Sequence, residues 1–165
     1  MKRIKRKYET PTKMFDKERI EKEKQLVKIY GLTKAQELWR AEALLRKYRR
    51  LARELGARKN KEQEKIIIKK LTQLGILTRG ISLDNILELT IENILDRRLQ
   101  TIIFKKGLVN SIKQARQLIT HGHVLVGNRK TTFPSHLISK NEEDKIQTNI
   151  PIQLKMKKNE TETTT

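Results

Sequence analysis

The chain has 165 residues, and its 38 Lys and Arg against 19 Asp and Glu give a formal net charge of +19. Such an excess exceeds what solubility requires and repels itself in the compact state unless an anion neutralises it, nucleic acid or an acidic membrane surface being the candidates. The absence of Cys excludes disulfides and Cys-based zinc sites, and 36% hydrophobic with 4% aromatic residues supports only a small core. No aliphatic run approaches a membrane span; Ile66-Ile67-Ile68 is among the longest. The basic start lacks the apolar stretch of a signal peptide, so a soluble intracellular protein is expected.

Residues 1–15 read as a basic extended arm, ordered only with a partner. Lys2, Arg3, Lys5, Arg6 and Lys7, followed by Tyr8, are its candidate nucleic-acid contacts. Helix punctuation then becomes regular. Asp16 caps a helix stopped at Gly31, and Thr33 with Gln36 opens a second stopped at Gly56. Asn60 with Gln63 opens a third stopped at Gly75. Residues 78–89, with a short helix begun at Ser82, link two halves.

The second helix carries one apolar stripe, Leu38, Ala41, Leu45, Tyr48, Ala52 and Leu55. Arg46, Arg50 and Arg53, joined by Lys47 and Arg49, fall elsewhere on its surface. From Arg46 to Arg58 there are six basic residues and one acidic residue, Glu54. A solvated face normally mixes signs, so this array points to phosphate, which the planar Arg fork suits. Trp39, the single Trp, is read as packing at a helix–helix or domain seam, with base stacking as the alternative.

From about residue 90 the pattern reads as two helices and a small antiparallel sheet. In the first, Ile94, Leu95, Leu99, Ile102 and Ile103 face inward. Arg98, Thr101 and Lys105 face outward together, with Arg97 and Lys106 beside them. Ser111 with Gln114 opens the second helix, which stops at Gly122. It turns Ile112, Ala115, Leu118 and Ile119 inward and Lys113, Arg116, Gln117 and Thr120 outward. Ser111 also begins a helix whose N–H groups suit a phosphate. His121 and His123 flank Gly122; a helix C-terminal His satisfies the last carbonyls and can also reach a phosphate, whereas a metal site needs further ligands that are not close in sequence.

His123 to Val126 make a strand, Gly127-Asn128 a turn, and Arg129-Lys130-Thr131-Thr132 the return. Leu137-Ile138 and Lys145-Ile146-Gln147 make further short strands after Pro134. Residues 151–165 are polar and Thr-rich, a flexible tail. The fold class is α+β, with a mostly helical domain over 16–89 and a two-helix plus sheet module over 90–150. Few aromatics are available to stack single-stranded bases, so a folded RNA backbone fits better. No P-loop, dinucleotide fingerprint, nucleophile elbow or zinc helix is present, and Asp84, Glu88, Glu92 and Asp96 read as caps or ion-pair partners. No catalytic residue, cofactor, metal or small-molecule substrate is expected.

Residues 97–138 resemble a known family. Arg97-Arg98-Leu99-Gln100, Gly107, Ser111, Ala115-Arg116-Gln117-Leu118-Ile119, His121-Gly122-His123-Val124 and Pro134-Ser135 carry the likeness to the RNA-binding module named after ribosomal protein S-four. Upstream, Lys7-Tyr8-Glu9-Thr10-Pro11, Glu18-Arg19-Ile20, Tyr30-Gly31-Leu32, Trp39-Arg40-Ala41-Glu42 and Leu74-Gly75-Ile76-Leu77 resemble the archaeal and eukaryotic form, called S-nine in eukaryotes. The resemblance spans roughly residues 5 to 150. It implies a cytoplasmic structural component of the small ribosomal subunit. Such a protein binds the 5′ domain of the small-subunit ribosomal RNA (rRNA) early in assembly and contributes to decoding accuracy. The small-subunit protein S-five and the messenger RNA entry path are its implied neighbours. It also implies RNA contact through Arg40, Arg98, Lys105, Lys113, Arg116, Gln117 and His121, with Arg129 and Lys130 on the sheet. On this reading Arg116→Glu weakens RNA binding more than Arg3→Glu. Val126-Gly127-Asn128 stands where many members have Val-Asn-Gly. The competing classes are an RNA-modifying or tRNA-charging enzyme with this module as an accessory, a free-standing module of translation stress, and a DNA-compacting or membrane-surface protein. The first lacks a catalytic domain here, the second lacks the Arg-rich helical half, and the third leaves the module unexplained.

Overall fold

The structure is a computed structural model that describes residues 7–58, 61–77 and 82–149. Lys2, Arg3, Lys5 and Arg6 of the arm, the Asn60 cap and the tail over 151–165 lie outside the described residues. Helix α1 spans Lys17–Ile29, and the Asp16 carboxylate accepts from the Arg19 N–H at 3.3 Å, the expected cap. It ends at Gly31, whose φ of 56° lets the Leu32 N–H turn back to the Val27 carbonyl at 2.9 Å.

Helix α2 spans Ala35–Arg58 and buries the predicted stripe, Leu38, Ala41, Leu45, Tyr48, Ala52 and Leu55. Two details of its punctuation are corrected. The Thr33 hydroxyl donates to the Glu37 carboxylate at 2.9 Å, in place of the capping box with Gln36. Gly56 continues the helix to Arg58 and is not a stop. Helix α3, Lys61–Gln73, does stop at Gly75 as expected, with the Ile76 N–H on the Leu71 carbonyl at 3.1 Å.

The link contains α4, Asp84–Glu88, followed by α5, Ile91–Asp96. The single helix expected across 94–105 is instead two, α5 and α6, the latter spanning Leu99–Lys105. The break falls at Arg97-Arg98, where Arg98 is extended, with φ −73° and ψ 141°. Its cause is the segment expected to be a strand at Leu137-Ile138. The Leu99 N–H donates to the His136 carbonyl at 2.7 Å and the Ile138 N–H to the Arg97 carbonyl at 3.0 Å. Arg98 and Leu137 form an isolated antiparallel bridge, so this stretch pins the helix junction rather than extending the sheet.

Helix α7, Ile112–Thr120, is capped by Ser111, which accepts from the Gln114 N–H at 3.2 Å. Strands β1 (Val124–Val126) and β2 (Arg129–Lys130) form the predicted hairpin. Helix α8, Lys140–Glu143, was not anticipated; a Ser139–Glu142 capping box opens it. Strand β3, Ile146–Thr148, completes an antiparallel sheet of order β2-β1-β3, with Leu125 opposite both Lys130 and Gln147.

The apolar side chains gather in two clusters. The first joins Leu38, Ala41, Leu45, Tyr48 and Ala52 of the α2 stripe to Leu71, Ile76, Leu77, Ile86, Leu89, Ile94 and Leu95. The second joins Leu99, Ile102 and Ile103 of α6 to Ala115, Ile119, Val124, Ile138 and Ile146. Ile103 is wholly buried in the second cluster. Ile103→Ala is expected to lower stability by about 2–5 kcal/mol, measured by urea denaturation, because the cavity collapses only partly. Among the described residues no helix is long and apolar enough to cross a membrane.

Candidate nucleic-acid interface

The basic face of α2 is solvent-facing where the sequence indicated. Arg40, Arg46, Lys47, Arg50 and Arg53 are exposed. Arg46 meets Glu9 at 3.4 Å and Arg50 meets Glu54 at 2.7 Å; both are exposed pairs, screened by water and salt. The start of the described chain lies along this face, where Lys7, Tyr8 and Glu9 join Ala43, Arg46, Lys47 and Arg50 around a shallow cleft. Tyr8 stands 6.0 Å from Trp39 between ring centroids, and the Arg40 guanidinium lies 5.6 Å from the Tyr8 ring. The indole N–H of Trp39 donates to Glu23 of α1 at 3.3 Å, so this residue occupies the helix–helix seam. Arg49 departs from the expected outward array. It turns inward and donates to the Leu89 carbonyl at 2.6 Å, tying α2 to the end of α4.

On the module, Lys113, Gln117, Thr120 and His121 of the α7 side are exposed, as are Arg129 and Lys130 of β2. The Thr120 hydroxyl donates back to the Arg116 and Gln117 carbonyls at 3.0 and 2.9 Å, so its proton is already engaged. His121 and His123 stack nearly parallel, 6.3 Å apart with 6° between ring planes. Gly122 between them has φ 76°, and a Cβ there would collide with the Lys130 side chain. Glycine thus lets Lys130 lie across the end of α7, joining the cations of β2 to the α7 surface. Ser111 is exposed at the start of that helix.

Several expected outward residues serve the interior instead. Arg98 has a side chain only 5% exposed and pairs with Glu37 of α2. Thr101 is buried and donates to the Leu95 carbonyl at 2.8 Å. Both sit opposite the face assigned to them, because the break at Arg97-Arg98 resets the helical phase. Arg97, 13% exposed, meets Glu143 at 2.8 Å and the Ile138 carbonyl at 3.0 Å. Lys105 pairs with Asp96 at 2.8 Å, and Lys106 donates to the Glu143 carbonyl near Asp144; both lysines are exposed, as predicted.

Glu37 is the centre of this inner network. One carboxylate oxygen accepts from Arg116 at 2.8 Å and from Thr33 at 2.9 Å. The other accepts from Arg116 at 3.2 Å and also from Arg98. Burial alone pushes its pKa up, but the hydrogen bonds from Arg116 and Arg98, the Arg98 charge and the Thr33 hydroxyl outweigh that and hold it at about 2. A single carboxylate of α2 therefore clasps two arginines of the module. Beside it, the Gln100 amide donates to the Tyr30 and Gly31 carbonyls at 3.0 and 3.2 Å, and the Tyr30 hydroxyl donates to Asp96 at 3.1 Å. Desolvation and the nearby Asp96 push the Tyr30 pKa well up, which keeps its proton available for that bond. From sequence, Glu37 is not singled out, and Gln100 and Tyr30 enter only in the family likeness, with no role assigned. The available signal was a Gln at a position on α6 flanked by buried Leu99 and Ile102, and an acidic residue at the start of an otherwise basic helix.

A module of short helices and a three-stranded sheet with exposed cations, clasped to an Arg-rich helical half, forms a basic surface suited to nucleic-acid phosphate. Residues 97–144 match the S4 domain family. The chain is 46% identical over 155 residues, 93% of each chain, to the small ribosomal subunit protein uS4 of Korarchaeum cryptofilum (strain OPF8). It is 47% identical over 147 residues to the protein of that name from Thermoplasma acidophilum, covering 86% of this chain and 74% of the relative. Against the Nanoarchaeum equitans protein of the same name it is 43% identical over 150 residues, 88% of this chain and 83% of the relative. The chain belongs to the uS4 family of small ribosomal subunit proteins.

Proposed function

We propose that this protein is a non-enzymatic structural constituent of the small ribosomal subunit, and that it binds the 5′ domain of the subunit's rRNA as an early assembly ligand. The observation that carries this reading is the division of labour among its cations. One set is engaged in internal bonds: Arg98 and Arg116 hold the halves together through Glu37, while Arg49 and Arg97 each bond within one half. The other set, Arg40, Arg46, Lys47, Arg50, Arg53, Lys113, Arg129 and Lys130, faces solvent on a rigid frame. Rigidly spaced cations fit a folded phosphate backbone and release its counterions on binding. The exposed Lys7, Gln117 and His121 and the half-buried Tyr8 and His123 join this set as contacts, and Lys2, Arg3, Lys5 and Arg6 extend it along the arm. A helical domain over 16–89 and the RNA-binding module over 90–150 thus act as one binder in the cytoplasm. Neighbourhood to the protein S-five and the messenger RNA entry path, with an effect on decoding accuracy, follows from the family resemblance.

The test is chemical footprinting of protein-free small-subunit rRNA after addition of this protein alone. Protection concentrated in the 5′ domain, at a helical junction, is the expected result. Protection scattered over the whole RNA would overturn the reading.

A further inference from the structure

Between α2 and the loop before Leu137 lies a cleft of about 580 Å³, apart from the helix faces described above. Arg98 and Arg116 in its wall are already held by Glu37. Lys34 and Arg40, which also line it, are exposed and make no ion pair among the described residues. The cleft therefore carries two floor arginines that share one carboxylate, and further cations without ion pairs among the described residues on the α2 side.

Pro134 and Ser135 line the opposite side. They are the middle of a turn in which the His136 N–H donates to the Phe133 carbonyl at 3.2 Å. Proline at the second position presets φ for such a turn. The bonds from Leu99 N–H to the His136 carbonyl and from Ile138 N–H to the Arg97 carbonyl fasten it to the helix junction. Phe133, at the first position, is 71% exposed. It is one of only three Phe in a chain poor in aromatics, and neither apolar cluster uses it. A large apolar ring held in water on a pre-organised turn, next in sequence to the Pro134 that lines a cationic cleft, is suited to serve as a stacking platform.

We propose that Phe133 and this cleft form a subsite for one unpaired nucleotide of the bound RNA. The base stacks on the Phe133 ring, and the flanking phosphates meet Lys34 and Arg40. The proposal rests on the rRNA-binding reading and adds to it a position at which a base, rather than backbone shape, is engaged.

The test uses the full chain and a 5′-domain small-subunit rRNA fragment, with Phe133→Ala, Phe133→Leu and Phe133→Tyr variants. Phe133→Ala and Phe133→Leu are expected to bind about ten-fold more weakly, while Phe133→Tyr stays near the wild type. The slope of log affinity against log salt should not change, since no charge is removed. Protection of an unpaired base from chemical modification should disappear with Phe133→Ala. Unchanged affinity of Phe133→Ala, with the wild type still preferring the fragment, would overturn this proposal alone. Full retention by Phe133→Leu with loss in Phe133→Tyr would also overturn it, since the site would then require an apolar side chain and not a stacking ring. A wild type with no preference for the fragment would instead defeat the rRNA-binding reading itself.

Discussion

Glu37→Gln is expected to lower the stability of the protein by about 3 kcal/mol at pH 7, the energy that corresponds to holding this carboxyl at about 2 rather than its ordinary 4.5. Glutamine keeps the shape but removes the one carboxylate that, among the described residues, is bonded to Arg98 and Arg116. Arg98 has little recourse, because its side chain is 5% exposed and its buried Nε has no hydrogen-bond partner among the described residues. Removing one member of a buried pair leaves the other charge uncompensated, which is the costly case. The pH dependence follows from the same depressed pKa. The stabilisation is complete above about pH 4.5 and is lost as the pH falls toward about 2, where Glu37 takes up its proton. Urea denaturation of wild type and Glu37→Gln across this range should show a gap at pH 7 that closes toward pH 2. A gap that is small at pH 7, or constant with pH, would mean that the clasp does not hold the halves together.

Replacing Arg46, Lys47, Arg50 and Arg53 together by Gln is expected to cut affinity for the 5′-domain fragment at least about 100-fold near physiological salt. The slope of log affinity against log salt should fall by about 3, as four phosphate contacts disappear. All four side chains are exposed, and the ion pairs of Arg46 and Arg50 are also exposed, so the thermal midpoint should move little. Lost affinity with an unchanged salt slope would show that these cations act through something other than phosphate.

The clasp also changes how charge reversal in the module must be read. Arg116→Glu brings a second carboxylate against Glu37, so its effect on RNA binding mixes contact with the orientation of the halves. Lys113→Glu on the same helix reports the surface alone, since Lys113 is exposed and has no ion-pair partner among the described residues.

Local rules carried most of the fold. Periodicity gave the α2 stripe residue for residue, and Asp16, Ser111, Gly31, Gly75 and Gly122 punctuate as their chemistry dictates. The failures come from tertiary contacts. The break at Arg97-Arg98 is imposed by backbone bonds with His136 and Ile138, about 40 residues away, and no local pattern encodes them. That break turned Arg98 and Thr101 inward, against the helical phase extrapolated from Ile94 and Leu95. Gly56 misled for a related reason: tertiary burial of Ala52 and Leu55 carries α2 past a residue of poor helix propensity. At the interface, charge density located the exposed cations of α2 and β2. It could not tell an arginine facing solvent from one spent on a buried carboxylate, because both read alike in sequence.

The most direct measurement is a filter-binding titration of the full chain against a 5′-domain small-subunit rRNA fragment and an unrelated folded RNA of equal length, at several salt concentrations. A rigid, clasped array of cations predicts a large preference for the 5′-domain fragment that persists at moderate salt. Equal binding to both RNAs, erased together as salt rises, would contradict it and reduce the +19 charge to a nonspecific attraction.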